Sequence, residues 1–239
     1  MTNVNSIVKF NFKLDCQKGI SVYIMVSTSM NIFSFFSSKT LSEINSGINK
    51  KIKVVEVMGK KIIYVAGAEQ TGGTITGMWR KALRKLPATN LQTALILGLG
   101  GGDVIRLISK SYPDIKITAV EIDPVMINIA EKFFKLKDTP TLKIIKSDAL
   151  IFLQNNHKKY GIIVVDLFIG KYNPEKFRSY GFFRLLKNNL NAEGLILYNS
   201  HYHADKPYEI NNLLKVCRKV FPAGDIIVKY PFSRIILLK

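Results

Sequence analysis

Three kinds of side chain are scarce in this chain, and each scarcity closes off a class of function. Two cysteines, Cys16 and Cys217, in 239 residues cannot build a disulfide framework and suit a reducing compartment. Three histidines (His157, His201 and His203) leave little from which to assemble a metal centre. His201-Tyr202-His203 with nearby Asp205 has ligand character but falls short of the convergent set a metal needs, so no metal is expected. Carboxylates are few: 17 Asp and Glu stand against 35 Lys and Arg, a net charge of +18. A field of that sign repels cations and attracts polyanions such as nucleic acid. The excess is spread, with 13 basic against 4 acidic residues over 1–90 and 22 against 13 over 91–239. Its tightest cluster, Arg80-Lys81-Ala82-Leu83-Arg84-Lys85, reads as a solvated helix face ahead of a nucleic-acid surface. Internal repeats and low-complexity linkers are lacking. Gly19–Ser38 is uncharged, but Ser27-Thr28-Ser29 and Asn31 interrupt it, short of a membrane span. Two short strands of an N-terminal domain or a translation start at Met25 or Met30 account for it instead. A cytoplasmic protein without membrane contact is the expectation.

Against this background stands one ordered run. Leu95-Ile96-Leu97 ends abruptly in Gly98-Leu99-Gly100-Gly101-Gly102-Asp103, a helical pattern opens at Asp103, and a second apolar strand ends at Val120-Glu121-Ile122-Asp123. That is the first βαβ unit of a Rossmann-like nucleotide-binding sheet. The glycines let backbone turn tightly and approach a ligand, and Glu121 stands where a carboxylate accepts from ribose hydroxyls. Asp103 breaks the dinucleotide fingerprint, since an acid there repels phosphate and welcomes an ammonium. A nucleoside with a cationic tail therefore fits better than NAD.

The remaining chain extends the unit. Pro124 opens a helix with Val125, Ile129, Phe133 and Leu136 on one face. Leu142–Ile145 is the next strand, Ala149–Gln154 a short helix, and Gly161–Asp166 a fourth strand ending in an acid. Tyr180–Leu190 is helical and Gly194–Tyr198 a fifth strand. A helix over Pro207–Val220 precedes two strands, Asp225–Tyr230 and Arg234–Leu238, too close together for a helical crossover and so paired as a hairpin. The expected fold is α/β, a Rossmann-like Class I methyltransferase fold: a doubly wound, mostly parallel sheet with an antiparallel C-terminal hairpin. A small N-terminal β-domain precedes it, with Lys53–Val57 and Lys61–Val65 as a hairpin around Met58-Gly59-Lys60. The expected division is 1–90 for the N-terminal segment and 91–239 for the nucleoside-binding catalytic domain.

Ligands on such sheets lie beyond the carboxyl ends of the strands, and Asp103, Glu121, Asp123, Asp148 and Asp166 all map to that edge. Strand-end turns and helix caps also favour acids, an explanation that weighs evenly for Asp123 and lightly for Glu121 and Asp166.

From about Lys51 onward the sequence resembles the spermidine synthase-like proteins, a branch of the Class I methyltransferase fold. Leu97–Asp103, Val120–Pro124, Ser147–Leu150 and Ile162–Asp166 carry the resemblance, with Ala68–Gly73 after the N-terminal hairpin. It implies that Gln70 reaches the nucleoside ligand, Asp103 contacts the amino end of its tail, Glu121 holds the ribose and Asp148 reads the adenine amino group. Asp166 then lies beside the attacking amine as the candidate catalytic acid or base. Gly98, Gly100, Gly101, Gly102, Ile122 and Ala149 complete the candidate nucleoside site. Ile169 stands where the family carries a second Asp, and Lys171 follows with a positive charge. Loss of one carboxylate removes one ammonium subsite, so an altered amine acceptor is expected.

The implied activity is transfer from S-adenosylmethionine or, preferred because of Asp103, its decarboxylated form. Aminopropyl transfer to a small amine comes first. Methyl transfer to nucleic acid or another anionic substrate is the alternative, and a binding module with a decayed acceptor site is a third reading. Resembling proteins are commonly homodimers.

Overall fold

The computed structural model describes residues 38–87, 90–170, 173–201, 208–230 and 233–239. Expectations for the uncharged N-terminal stretch before Ser38, for Lys171, and for His203 and Asp205 lie outside them. The described chain opens with β1 (Lys39–Ser46), β2 (Lys50–Val57), β3 (Lys60–Val65) and β4 (Ala68–Thr71), an antiparallel meander in that order. Met58 and Gly59 both have positive φ, 50° and 73°, the geometry of the two-residue turn whose twist matches its strands. The anticipated hairpin is therefore the centre of this sheet. β1 was not anticipated: its sequence KTLSEINS carries only Leu41 and Ile44 as apolar residues, too few to show an alternation.

Six α-helices follow among the described residues: α1 (Gly73–Leu83), α2 (Asp103–Ser111), α3 (Pro124–Phe134), α4 (Ala149–Asn155), α5 (Tyr180–Asn188) and α6 (Tyr208–Arg218). They alternate with β5 (Thr93–Leu97), β6 (Lys116–Glu121), β7 (Leu142–Lys146), β8 (Tyr160–Val165), β9 (Leu190–His201), β10 (Asp225–Lys229) and β11 (Ser233–Leu238). These seven strands form one sheet in the order β10-β11-β9-β8-β5-β6-β7. β7, β6, β5, β8 and β9 are mutually parallel, and β11 runs antiparallel between β9 and β10. The expected closing hairpin thus lies in the sheet with its last strand inserted inward. β9 is longer than the Gly194–Tyr198 read from the sequence, because pairing with β8 and β11 draws its polar ends into the ladder.

Strand periodicity sorts the core into two layers. Ala94, Ile96, Ile162, Val164, Leu195 and Leu197 face one layer, which includes Met78, Trp79 and Ala82 of α1. Leu95, Leu97, Ile163, Val165, Ile196 and Tyr198 face the other, packed by Phe182, Phe183 and Leu186 of α5. A third cluster joins the small sheet to the large one: Ile52, Val54, Ile63 and Val65 pack on Met126 and Ile129 of α3. Sequence places α1 beside the meander, but its buried face belongs to the larger sheet.

One polar contact reinforces the third cluster. Asp123 is fully buried and caps α3 by accepting from the Val125 N–H at 2.9 Å. Its other oxygen accepts from the Ser46 hydroxyl and from Asn49 Nδ2 at 2.7 Å. The capping reading of Asp123 is the observed one, and the same side chain ties the β1–β2 turn to the Rossmann-like sheet.

Candidate functional site

The order of the large sheet reverses beside β5, whose chain proceeds to β6 on one side while β8 flanks the other. Crevices form where strand order reverses. The two strand ends approach closely there: a Cβ on Gly98, at φ 96°, would lie 2.2 Å from the Asp166 carbonyl oxygen. Only glycine fits both that backbone angle and that separation. Beyond these ends opens a cleft, part of it continuous with solvent, at the edge where open α/β sheets take their ligands.

Gln70, Gly98, Gly100, Glu121, Ile122, Asp148, Ala149 and Asp166 line this cleft. The structure thus gathers eight of the eleven sequence-predicted residues around one space. Gly101, Gly102 and Asp103 line a smaller neighbouring cavity, bounded also by Gln70, Trp79, Gly98 and Asp166.

The carboxylates meet different surroundings. Glu121 is buried and accepts from the backbone N–H groups of Leu99 at 3.0 Å and Asp123 at 2.9 Å. Burial raises its pKa above the ordinary value despite those bonds. Asp148 caps α4 through Oδ1, with Leu150 N at 2.7 Å, and pairs through Oδ2 with Lys176 Nζ at 2.7 Å. Burial opposes its charge, but Lys176 and the capping N–H groups prevail and hold its pKa below the usual carboxylate value.

Asp103 is the most heavily engaged. Its Oδ2 accepts from Thr71 Oγ1 at 2.9 Å, the Gly72 N–H at 2.7 Å and Thr76 Oγ1 at 2.8 Å. Its Oδ1 pairs with Arg106 Nη2 at 2.7 Å. Burial opposes ionisation, and the four donors outweigh it, so its pKa is lowered. Asp103 therefore staples the β4–α1 junction onto α2. No acid could stand two positions earlier, because a Cβ on Gly101 would meet Thr71 Oγ1 at 2.6 Å.

Asp166 is the reverse case. It keeps a strip of surface on the cleft, while among the described residues its oxygens receive neutral donors, Asn199 Nδ2 at 2.8 Å and Trp79 Nε1 at 3.3 Å. Desolvation dominates, these bonds partly offset it, the Asp103 charge adds to it, and the pKa is pushed up to about 6. Such a carboxylate is ionised at neutral pH and basic enough to take up a proton. Gln70 Nε2 donates to the Gly170 carbonyl at 2.9 Å and so holds the loop beyond Asp166 against β4. On that loop, Leu167, Phe168 and Ile169 turn surface to the cleft, and Ile169 is exposed.

Sequence reasoning missed four lining or supporting residues. Trp79 and Asn199 clasp Asp166, Lys176 pairs with Asp148, and Asn49 enters the cleft wall from the β1–β2 turn. Asn199 was within reach, since it lies near the carboxyl end of a parallel strand at the same sheet edge as the acids. The others arrive from elements distant in sequence.

The fold is a Rossmann-like α/β sheet of the methyltransferase type, with a cleft beyond the carboxyl ends of its parallel strands. The family model for the spermine/spermidine synthase domain matches residues 80–231, well over half of the chain, and the chain belongs to that family. It is 28% identical over 207 residues to a "Probable polyamine aminopropyl transferase" of Bifidobacterium longum, covering 82% of this chain and 46% of that protein. It is 29% identical over 140 residues to an eEF1A lysine and N-terminal methyltransferase homolog of Drosophila melanogaster, covering 54% of this chain and 20% of the relative. The chain thus spans less than half the length of these curated relatives. The crystal structure of a spermidine synthase from Thermotoga maritima superposes with a TM-score of 0.68 at 18% identity, over 83% of this chain and 72% of that one. That likeness establishes the shared fold.

Proposed function

We propose that this chain is an aminopropyltransferase acting on decarboxylated S-adenosylmethionine and a small amine. The observation that carries the reading is Asp166, a desolvated carboxylate with a pKa near 6 on the cleft where the strand order reverses. The residues around it fit the co-substrate. Glu121 presents carboxylate oxygen to ribose hydroxyls, Asp148 to the base amine, and Ile122 and Ala149 offer apolar surface to the ring. Gly98 and Gly100 let the backbone approach the sulfur, and Gln70 closes the site from the small sheet. Bound there, the sulfonium supplies an electrophilic carbon with a neutral thioether as leaving group.

Asp166 orients the attacking amine and takes its proton as the new C–N bond forms and the C–S electron pair returns to sulfur. Water has to be kept from the same carbon, and the Gln70–Gly170 bond holds the loop beyond Asp166 over that side of the cleft. The acceptor differs from a diamine with two carboxylate partners, because the loop after Asp166 presents Ile169. An amine with one charged end and an apolar body suits that surface.

One observation favours a second reading. Four intramolecular donors engage Asp103, three on Oδ2 and the Arg106 guanidinium on Oδ1, so much of its charge is already spent within the protein. Intact S-adenosylmethionine then loses its disadvantage, and methyl transfer to an anionic substrate accords with the charge of +18. Incubation with each co-substrate and a panel of monoamines, diamines and RNA separates the two. Release of 5′-methylthioadenosine, abolished in Asp166→Asn, supports aminopropyl transfer. Release of S-adenosylhomocysteine with no methylthioadenosine rejects it.

A further inference from the structure

Lys176 places a cation in the one wall of the cleft where a neutral base edge would be read. It rises from a short 3₁₀ turn, Glu175–Arg178, and its Nζ lies 2.7 Å from Asp148 Oδ2 and 4.9 Å from the Phe177 ring centre. Asp148 Oδ1 is committed to the α4 N-terminus. The oxygen left for a ligand is therefore the one Lys176 already touches. Both side chains line the cleft beside Ile122, Ser147 and Ala149.

We propose that Lys176 donates to ring nitrogen N1 of the adenine, beside the exocyclic amine that the nucleoside reading gives to Asp148. The inference rests on the nucleoside reading of the cleft given above. An acceptor and a donor 2.7 Å apart match the adjacent donor and acceptor of adenine. Hypoxanthine in the same pose turns a carbonyl toward the carboxylate and an N–H toward the ammonium, reversing both contacts. The ammonium has three donors, so one keeps Asp148 while another serves the base. Half of the lysine side chain is exposed, and an ion pair so exposed adds little to the fold. The cation–π contact with the neighbouring Phe177 ring gives the ammonium a second partner that holds it beside the carboxylate.

Calorimetric titration tests this on the wild type, Lys176→Met and Asp148→Asn, using 5′-methylthioadenosine, its 1-deaza analogue and its inosine counterpart. The wild type is expected to bind the adenosine ligand and to lose about tenfold or more with either analogue, as for a hydrogen bond to a charged group. Lys176→Met should lose a similar factor for the parent ligand and show no further loss for the 1-deaza analogue, with an unchanged melting temperature. Equal or tighter parent binding by Lys176→Met overturns the lysine's role. If Asp148→Asn weakens binding in that case, the nucleoside reading survives alone. Absence of adenosine-ligand binding by the wild type overturns both.

Discussion

Asp166→Asn should make the protein more stable at high pH while silencing it. A rise in pKa from 3.8 to about 6 corresponds to about 3 kcal/mol against the charged form. The strip of Asp166 facing the cleft lets solvent screen part of this and reduces it to about 2 kcal/mol. Between the two pKa values the native state holds the proton more tightly than the unfolded chain. Wild-type stability therefore falls as pH rises through that window, with the cost complete above pH 6 and nearly absent at pH 4. Asparagine carries no charge in either state. Its oxygen keeps the Asn199 bond, while its amide confronts the Trp79 N–H and forfeits a long hydrogen bond, about 1 kcal/mol at every pH. The variant should thus be about 1 kcal/mol more stable than the wild type at pH 8 and slightly less stable at pH 4. Urea unfolding of both proteins at the two pH values reads the difference directly, and the expected swing is about 1.5 kcal/mol. A difference that stays constant between pH 4 and pH 8 would refute the desolvated-carboxylate reasoning and, with it, the base assigned to the reaction.

Trp79→Phe removes a donor that lowers the Asp166 pKa while keeping most of the buried ring. The acidic limb of kcat/KM should move to higher pH, which a pH–rate profile tests, and an unmoved limb would exclude Trp79 as a positioning residue. Gly98→Ala drives a methyl group to within 2.2 Å of the Asp166 carbonyl at a φ of 96°. A loss of about 2–3 kcal/mol in thermal or urea unfolding is expected. Asp123→Ala strips α3 of its cap and frees Ser46 and Asn49, at about 2–4 kcal/mol. Hydrogen exchange in 39–57 should accelerate ahead of the large sheet, whereas uniform acceleration would deny that the side chain joins the two sheets.

The larger fold was legible because parallel strands buried on both faces announce themselves as short apolar runs ending in glycine or acid. β5 and β8 are such strands, and their ends meet where the sheet order predicts. β1 and the full length of β9 were not legible, since polar residues are drawn into a ladder by partners and not by their own hydrophobicity. Site residues followed the same division. Glu121, Asp148 and Asp166 sit on strand ends, so chain position alone places them at the cleft. Trp79, in the middle of α1, reaches the site only because that helix packs on the large sheet and not on the meander it follows.

Asp103 shows what a linear reading leaves out. Its place after three glycines suggested an ammonium partner, which requires carboxylate oxygen facing the cleft. Thr71, Gly72 and Thr76 precede it by 32, 31 and 27 residues, and nothing in the glycine run signals that they converge on it. Arg106, one turn along α2, pairs with its other oxygen. An acid so satisfied serves to bring Gln70 and Trp79, on either side of those donors, up to Asp166. Removing Asp103 should therefore impair the site by loosening its roof, with Asp103→Asn milder than Asp103→Ala because the amide oxygen still accepts. A preference for decarboxylated S-adenosylmethionine that survives Asp103→Asn would locate the selection of the tail elsewhere in the cleft.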